Sequence, residues 1–434
     1  MVNKEHSFRR MFSTILILCL MAMVVVSIGA APKKQTIRFV AANHPFTDVI
    51  KPLIPEFEKE TGIKVNVENY EENQLTQKLT VEFTSGASSV DVFMTRPLQE
   101  GRLFYKNNWY HTLNKYLPTS GWDWADYPKS TVEAVTLKND IYAIPIVTEW
   151  KTLFYRKDLF AAANLKPPTT LEELEAAAKK LHNPAADMYG IVSRGQRGAA
   201  VTQFSSYLYD FGGDFIKDGK CVIDSPEAVE AFRYYGRILH DYGPPGVTNM
   251  SWPQAQALFI SGKVAMWTDA SVFLGAITDP AKSVVADQVG VAVFPAGPAG
   301  AHPFMVVPWS LAVSAQSDKK DAALEFLKWA TSKQMAKIAQ LNGLTMARTS
   351  VWNDQEVLKK LYPGLAECAK ITGSIAVPYD RPLMTAVGEA RDAIGEVIVK
   401  AIETGGKADI PSLAKTAAEK VDKLLVKAGE GPKQ

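Results

Sequence analysis

The pattern of apolar positions that begins near residue 36 predicts a strand, a helix and a second strand in close succession. The run Thr36–Ala42 is short and apolar, as in a strand that is buried on both faces. Residues 63–68 alternate between apolar and polar, as in a second strand. Between the two strands, apolar residues recur at the spacing of one helix face, at Phe46, Val49, Ile50, Leu53, Ile54 and Phe57. Thr61 and Gly62 end this helix, and the order indicates a parallel βαβ unit of an α/β fold.

The same strand-then-helix order continues along the chain. Pro52 and Pro55 interrupt the first helical pattern, so we expect a kink or a late start there, because each removes a backbone donor. Helices are predicted over residues 74–85, 171–182 and 318–331, and a further helix is predicted to start at Ser225 and Pro226. Thr170 is the expected cap of the second of these ranges and Ser317 that of the third. Strands are predicted over 90–94, 141–148, 264–267, 289–294 and 309–314.

Polar side chains follow several predicted strands directly. Asn43 and His44 follow the first strand, and Arg96 and Asp269 follow later ones. Ligands of open α/β sheets bind at the carboxyl ends of the strands, so these residues are candidates for a binding site.

The N-terminal residues 1–31 are typical of a secretory signal. Arg9 and Arg10 form its positive end, residues 11–29 are apolar, and residues 29–31 are small. Cleavage of this leader and its retention as a membrane anchor both remain open, since the apolar run is long. Cys19 is a poor candidate for the lipidated cysteine of a lipoprotein, because a small residue is needed directly before it and Leu18 is large. We expect a periplasmic or cell-exterior location.

Length and charge narrow the class of protein further. The chain has 434 residues, which is too long for one ordinary core and predicts two lobes. The leader holds Lys4, Arg9, Arg10 and Glu5, which leaves 45 basic and 45 acidic residues of the 48 and 46 in the whole chain. This balance argues against a nucleic-acid partner.

The sequence lacks the common catalytic signatures HExxH, GxSxG, CxxC, GxGxxG and the P-loop, so we predict no enzymatic activity and no cofactor. The six histidines are dispersed, and Tyr234 and Tyr235 lie within a helical pattern, so we also predict no metal site. Cys221 and Cys368 are either a disulfide, which an oxidising compartment permits, or two buried thiols.

Four stretches, in this order, resemble the sugar-binding group of extracellular solute-binding proteins of ABC importers, which includes maltose-binding protein. They are FEKETGIKVNVE, YAIPIVTEWKTLFYRKDLF, ALFISGKVAMWTDAS and VPWSLAVSAQSDKKDAALEFLKWATS. The resemblance implies a type II periplasmic binding protein fold, with two α/β lobes, three crossings between them, and a ligand cleft. We expect crossings near residue 148, over 294–303, and over 342–350. The N-terminal lobe would comprise 32–148 and 304–345, and the C-terminal lobe 149–303 and 346–434.

A neutral, hydroxyl-rich ligand needs aromatic faces and polar side chains that accept and donate hydrogen bonds. From the strand ends, the crossings and the resemblance, we predict ligand contacts by Asn43, His44, Arg96, Glu149, Trp150, Gln203, Trp267, Asp269, Phe273, Trp309 and Arg381. Each has a structural alternative. Asn43 can cap a helix, Arg96 can pair with Glu100, Arg381 can form a surface ion pair, and Asp269 can cap an element of the second lobe. The tryptophans can belong to the core.

The chain departs from the maltose-binding pattern after its "A-M" strand. The sugar-stacking tryptophan of that group has no counterpart at this place, and Phe273 is the nearest aromatic. Trp267, Thr268, Asp269 and Ala270 look more like the sugar-alcohol and monosaccharide branch, which favours a small polyol over a disaccharide.

We therefore expect a monomer that captures a carbohydrate or polyol and delivers it to the permease subunits of an ABC importer. Three alternatives stay open: another cargo such as an oligosaccharide or polyamine, a sensor subunit for a membrane receptor, and a secreted carbohydrate hydrolase. The hydrolase would need two carboxylates about 5–9.5 Å apart across the cleft, for which Glu149 and Asp269 are the candidates.

Overall fold

A computed structural model describes residues 35–86, 89–119 and 121–432. The predicted leader, residues 1–31, lies outside them. The strands are β1 Thr36–Ala42, β2 Lys64–Tyr70, β3 Val92–Thr95, β4 Thr136–Leu137, β5 Asp140–Ile141, β6 Ile144–Arg156, β7 Ile216–Lys217, β8 Lys220–Cys221, β9 Met266–Ala270, β10 Val289–Val293 and β11 Met305–Val313.

The first half of the chain contains helices α1 Pro45–Ile50, α2 Ile54–Thr61, α3 Glu72–Ser85, α4 Arg102–Lys106, α5 Lys129–Ala134, α6 Lys157–Ala162, α7 Leu171–Leu181 and α8 Arg197–Asp210. The second half contains α9 Pro226–Tyr242, α10 Trp252–Ile260, α11 Leu274–Ile277, α12 Lys320–Ala330, α13 Lys333–Leu341, α14 Thr349–Trp352, α15 Gln355–Lys360, α16 Leu365–Ile375, α17 Val387–Glu403 and α18 Ile410–Ala428.

The predicted βαβ unit is present. Strand β1 pairs in parallel with β2, and the helix between them is broken by a 3-10 turn over Lys51–Leu53 that carries Pro52. The second half of the helix starts at Ile54 with Pro55 in its first turn, and Gly62 ends it with a φ of 73°. The expected kink therefore occurs where the prolines remove backbone donors.

One long strand joins the two lobes. Among the described residues, seven strands form a mixed sheet in the order β10, β6, β11, β3, β1, β2, with β9 also paired to β6. The first part of β6 pairs with β11, which pairs with β3 of the first lobe. The second part, from Lys151 onward, pairs with β9 and β10 of the second lobe. Strands β6 and β11 are thus two antiparallel crossings that lie side by side.

Two sequence expectations need correction in this part of the chain. The second crossing is β11, and the Gly/Pro loop 294–303 before it lies on the second lobe, where Ala299 N donates to Asp210 O at 2.8 Å. Ser317 does not cap a helix at residue 318. It donates to Asp91 Oδ1 at 2.6 Å and accepts from Lys319 N, and the helix begins at Lys320.

The third connection follows a longer path than the sequence suggested. Thr148 N donates to Thr345 O at 2.8 Å, so this segment runs beside β6. Ser350 N then donates to Asp126 Oδ1 in the first lobe at 2.8 Å, whereas Tyr362 Oη donates to Val289 O in the second lobe at 2.6 Å. The lobe boundary at 345 stays a prediction, and these contacts favour a return of the chain after α15.

No helix in the described part of the chain is long and apolar enough to cross a membrane. Cys221 and Cys368 are buried free thiols rather than a disulfide. Burial raises the pKa of Cys221 to about 12 and that of Cys368 to about 11, which keeps both protonated at neutral pH.

Candidate functional site

A cleft lies between the lobes, where β1, β3 and β9 end and β6 and β11 cross. It encloses about 510 Å³, including the part that is open to solvent. The residues that line it are His44, Pro45, Glu72, Arg96, Glu149, Arg194, Thr202, Trp252, Val272, Phe273, Phe304, Val306, Pro308, Trp309, Asp380 and Arg381.

Arg96 organises the wall of the first lobe. Its Nη1 lies 3.0 Å from Glu72 Oε2, and its Nε lies 3.3 Å from Glu100 Oε2. Pairing with Glu100 was the structural alternative to ligand contact that the sequence offered for Arg96. The pair is present, and it is buried rather than exposed. The guanidinium carbon lies 5.3 Å from the centre of the Trp309 ring. Burial alone would raise the pKa of Glu72, but the charges of Arg96 and Arg194 outweigh it and hold the pKa below its ordinary value.

His44 and Glu149 face each other where the lobes join. His44 caps α1, because its Nδ1 accepts from Phe46 N at 3.1 Å. Its Nε2 lies 3.8 Å from Glu149 Oε1 and has no hydrogen-bond partner among the described residues. Burial raises the pKa of Glu149, and His44 offsets this only in part. Both side chains therefore retain hydrogen-bonding capacity toward the cleft.

Arg194 provides the polar wall of the second lobe. Asp269 binds it in a bidentate pair, with Nε to Oδ2 at 3.0 Å and Nη2 to Oδ1 at 2.6 Å. Gln203 Nε2 also donates to Asp269 Oδ1 at 2.8 Å, and Lys151 Nζ donates to Gln203 Oε1 at 2.6 Å. This buried chain of side chains fixes the orientation of the Arg194 guanidinium.

Arg381 contacts both lobes. Asp380 binds its Nε and Nη2 at 2.6 Å each, and its Nη1 donates to Gln99 Oε1 of the first lobe at 2.9 Å. Arg391 Nη1 donates to the same Gln99 oxygen at 2.6 Å. The Asp380–Arg381 pair is buried, so the alternative of a surface ion pair for Arg381 is wrong.

The sequence-predicted residues fall into two groups. The first group lines the cleft: His44, Arg96, Glu149, Phe273, Trp309 and Arg381. The second group lies elsewhere: Asn43, Trp150, Gln203, Trp267 and Asp269. Direct ligand contact by any of these residues stays a prediction.

The second group has separate structural roles. Asn43 is exposed, and His44 rather than Asn43 caps the helix. Trp150 and Trp267 are buried in the core. Asp269 does not follow its strand, because β9 extends through it to Ala270. Its partners Arg194 and Gln203 make burial of the carboxylate possible, and an apolar pattern alone could not show this.

Sequence reasoning missed Glu72, Arg194, Thr202, Trp252 and Asp380 among the lining residues. Glu72 begins the helix after β2, and Arg194 follows the short apolar run 191–192, so the strand-end rule could have found both. Asp380 stands next to Arg381 in the YDRP motif. Trp252 carries no comparable signal, since it starts a helix after an irregular loop.

Within the described residues, no group of three or more histidine, cysteine, aspartate or glutamate side chains is arranged to hold a metal ion. Tyr234 and Tyr235 are both buried, and their hydroxyls donate to Leu171 O and Arg194 O.

This fold and cleft are those of a binding protein with two lobes. The profile of the bacterial extracellular solute-binding protein family matches residues 43–337, and the chain belongs to that family. It is 33% identical over 275 residues to a mannitol-binding protein of Pseudomonas aeruginosa. That match spans 62% of each chain, which is less than two thirds of the relative's length.

Two solved structures are similar over nearly the whole of their chains. One is an ABC transporter solute-binding protein from Agrobacterium radiobacter in complex with ribitol, with a TM-score of 0.83 and 29% identity, covering 90% of this chain and 98% of that one. The other is an ABC transporter solute-binding protein from Agrobacterium vitis with bound D-mannitol, with a TM-score of 0.82 and 28% identity, covering 91% and 99%.

Proposed function

We propose that this protein captures a small neutral polyol outside the cytoplasm and delivers it to the permease subunits of an ABC importer. The ligand would bind between the lobes, and its hydroxyl groups would contact side chains from both. Ligand binding would close the lobes about the crossings β6 and β11, and the permease would recognise the closed form. The protein would act as a monomer in the periplasm or at the cell exterior.

The pairing of charges in the cleft is the observation that supports a neutral ligand. Arg96, Arg194 and Arg381 are each bound to a carboxylate of the protein, so none is a free cation for an anionic ligand. Glu149 and His44 Nε2 retain capacity for hydroxyl groups. Trp309 and Trp252 line the cleft with apolar ring surface for the C–H groups of a carbohydrate or polyol.

The relatives support a polyol as the cargo. The similar proteins described above bind mannitol and ribitol, which are short, flexible and uncharged. Their identities to this chain are 28–33%, so the same ligand class is the proposal rather than the same ligand.

We also propose that the protein performs no chemistry. The hydrolase alternative needed Glu149 and Asp269 across the cleft, but Asp269 is bound to Arg194 and Gln203 and does not line the space. Incubation with disaccharides should therefore give no product, and turnover would contradict this part of the proposal.

Isothermal titration calorimetry on the purified protein tests the ligand class. Ribitol and D-mannitol should bind, whereas the anion gluconate should bind at least tenfold more weakly because the arginines of the cleft are already paired. Tight binding of gluconate, or no binding of any polyol or sugar, would contradict the proposal.

A pair of tryptophan variants controls for loss of folding. Trp309→Ala removes a ring of the cleft, and Trp124→Ala removes a half-buried ring that packs on Tyr127 outside the cleft. Only the first should weaken polyol binding, while melting curves report the stability of both.

A further inference from the structure

Trp252 projects into the cleft from a fixed helix start. It is the first residue of α10, and Pro253 follows it. Ser251 N donates to Gln254 Oε1 at 3.0 Å, which closes the first turn and holds the backbone of Trp252. The side chain is only partly buried and lines the cleft.

A column of aromatic rings supports Trp252 from behind. Its ring stacks on Phe273 with centres 5.0 Å apart and planes 21° apart. Phe273 stacks on Trp267 at 5.3 Å and 26°, and Trp267 packs on Phe154 at 5.4 Å. The last two rings are fully buried, so the column cannot retreat into the lobe without breaking the core.

The front edge of Trp252 is bonded to the opposite lobe. Its Nε1 donates to Glu72 Oε1 at 3.2 Å, and Glu72 Oε2 in turn binds Arg96 Nη1 at 3.0 Å. The contact series Phe273, Trp252, Glu72, Arg96 therefore spans the cleft from one lobe to the other. A ligand that extended past this side would have to separate the indole from Glu72 and remove one hydrogen-bond donor from this partly buried carboxylate.

We infer that Trp252 is the residue that sets the ligand size, closing one end of the cleft so that a short polyol fits and a disaccharide alcohol does not. The inference rests on the proposed function and makes it more specific. Trp252 rather than Phe273 closes this end of the cleft, because Phe273 lies behind Trp252 in the stacked column.

Calorimetric titration of three proteins with ribitol, D-mannitol and maltitol tests this role. The wild type should bind the shorter polyols and not maltitol. Trp252→Ala should bind maltitol at least tenfold more tightly than the wild type does, and should bind the preferred short polyol at least tenfold more weakly. Trp252→Phe keeps a ring but loses the bond to Glu72, so it should bind maltitol more tightly than the wild type does and more weakly than Trp252→Ala does.

The outcomes separate this inference from the function beneath it. A folded Trp252→Ala protein that still excludes maltitol, or that binds the short polyol as the wild type does, overturns the inference alone. A wild type that binds none of the three ligands overturns the proposed function and the inference with it. Trp252→Leu repeats the measurement if the alanine variant does not fold, and Trp124→Ala should leave the selectivity unchanged.

Discussion

The pair of Arg194 and Asp269 connects the core of the second lobe to its cleft. Asp269→Asn should weaken polyol binding by about 10- to 150-fold, because a hydrogen bond to a charged group contributes roughly 1.5–3 kcal/mol and Arg194 loses its orientation. It should also lower the melting temperature, since breaking a buried ion pair costs about 3–5 kcal/mol. Calorimetry and a melting curve measure the two effects, and an unchanged dissociation constant would contradict the first.

A double-mutant cycle distinguishes positioning from direct contact. If Asp269 acts through Arg194, the double variant Arg194→Met/Asp269→Asn should bind no more weakly than Arg194→Met alone. An additional loss in the double variant would mean that Asp269 contacts the ligand itself.

The raised pKa of the Glu149 carboxyl group predicts that polyol binding depends on pH. Burial raises the pKa of its carboxyl group in the free protein, so the group becomes protonated at a higher pH than an exposed glutamate, whose pKa is about 4.3. A ligand hydroxyl that donates to the ionised carboxylate favours the charged form. The affinity should therefore fall as the pH is lowered through the pKa of the free protein. Calorimetric titrations at several values between about pH 4.5 and pH 8, roughly the range in which most proteins are stable, would measure this fall in affinity.

The isosteric variant Glu149→Gln serves as the control. It cannot ionise, so its weaker affinity should be nearly independent of pH over the same range. A slope that persists in the variant would show that Glu149 is not the group that titrates.

Several residues of the cleft could be predicted from the sequence. Those that could not be placed correctly depend on partners far away in the sequence. His44 and Arg96 follow strands that end at the cleft, and this rule depends only on local sequence. Asp269 was placed in the site because an ionised group in an apolar context needs partners, and Gln203 because the stretch after it resembles a site helix of the family. The sequence does not show that those partners are Arg194 and Lys151, which are 75 and 52 positions away.

At the scale of elements, the turn after α13 packs unusually closely on the second lobe. Gly343 has a φ of 89°, and a Cβ atom placed there would lie 2.5 Å from Gly275 Cα at the start of α11. Gly343→Ala should therefore lower the melting temperature by more than the strain of a left-handed residue alone, which is about 1–2 kcal/mol. Scanning calorimetry of the variant and the wild type measures this loss.

Gly364 offers a matched comparison for the turn. Its φ is 83°, but a Cβ atom there would meet nothing within 4 Å. Gly364→Ala should thus show the backbone strain without the crowding. Equal destabilisation by the two substitutions would mean that the contact between Gly343 and Gly275 is unimportant.

Element positions were predicted well where one local signal dominates. The helix α7 starts after its Thr170 cap, and α9 starts at Pro226 as expected. Errors arose where tertiary partners decide. Ser317 has the chemistry of a cap, but Asp91 binds its hydroxyl, and the helix starts three residues after it. The glycine and proline content of the 294–303 loop suggested a crossing, yet a strand whose pairing with β6 shifts register twice, β11, carries the chain between the lobes.

For the whole molecule, closure of the lobes should depend on contacts outside the ligand site. Gln99 of the first lobe accepts hydrogen bonds from Arg381 and Arg391 of the second, and it does not line the cleft. Gln99→Ala should remove these bonds in the closed form without removing a side chain that lines the cleft. Because a bond to a charged group contributes roughly 1.5–3 kcal/mol, affinity should fall by about tenfold or more. The loss should appear as faster dissociation, since the open form that first meets the ligand is unaltered.

Stopped-flow dissociation rates and small-angle scattering test the closure together. In the wild type, a bound polyol should reduce the radius of gyration, and Gln99→Ala should need a higher polyol concentration to reach the same reduction. Gln99→Glu brings a carboxylate to the two arginines and should shift the ligand-free protein toward the compact form. Gln74→Ala, an exposed position on α3 of the same lobe, should change neither measurement. Equal dissociation rates for Gln99→Ala and the wild type would show that the two arginines hold Gln99 without stabilising the closed form.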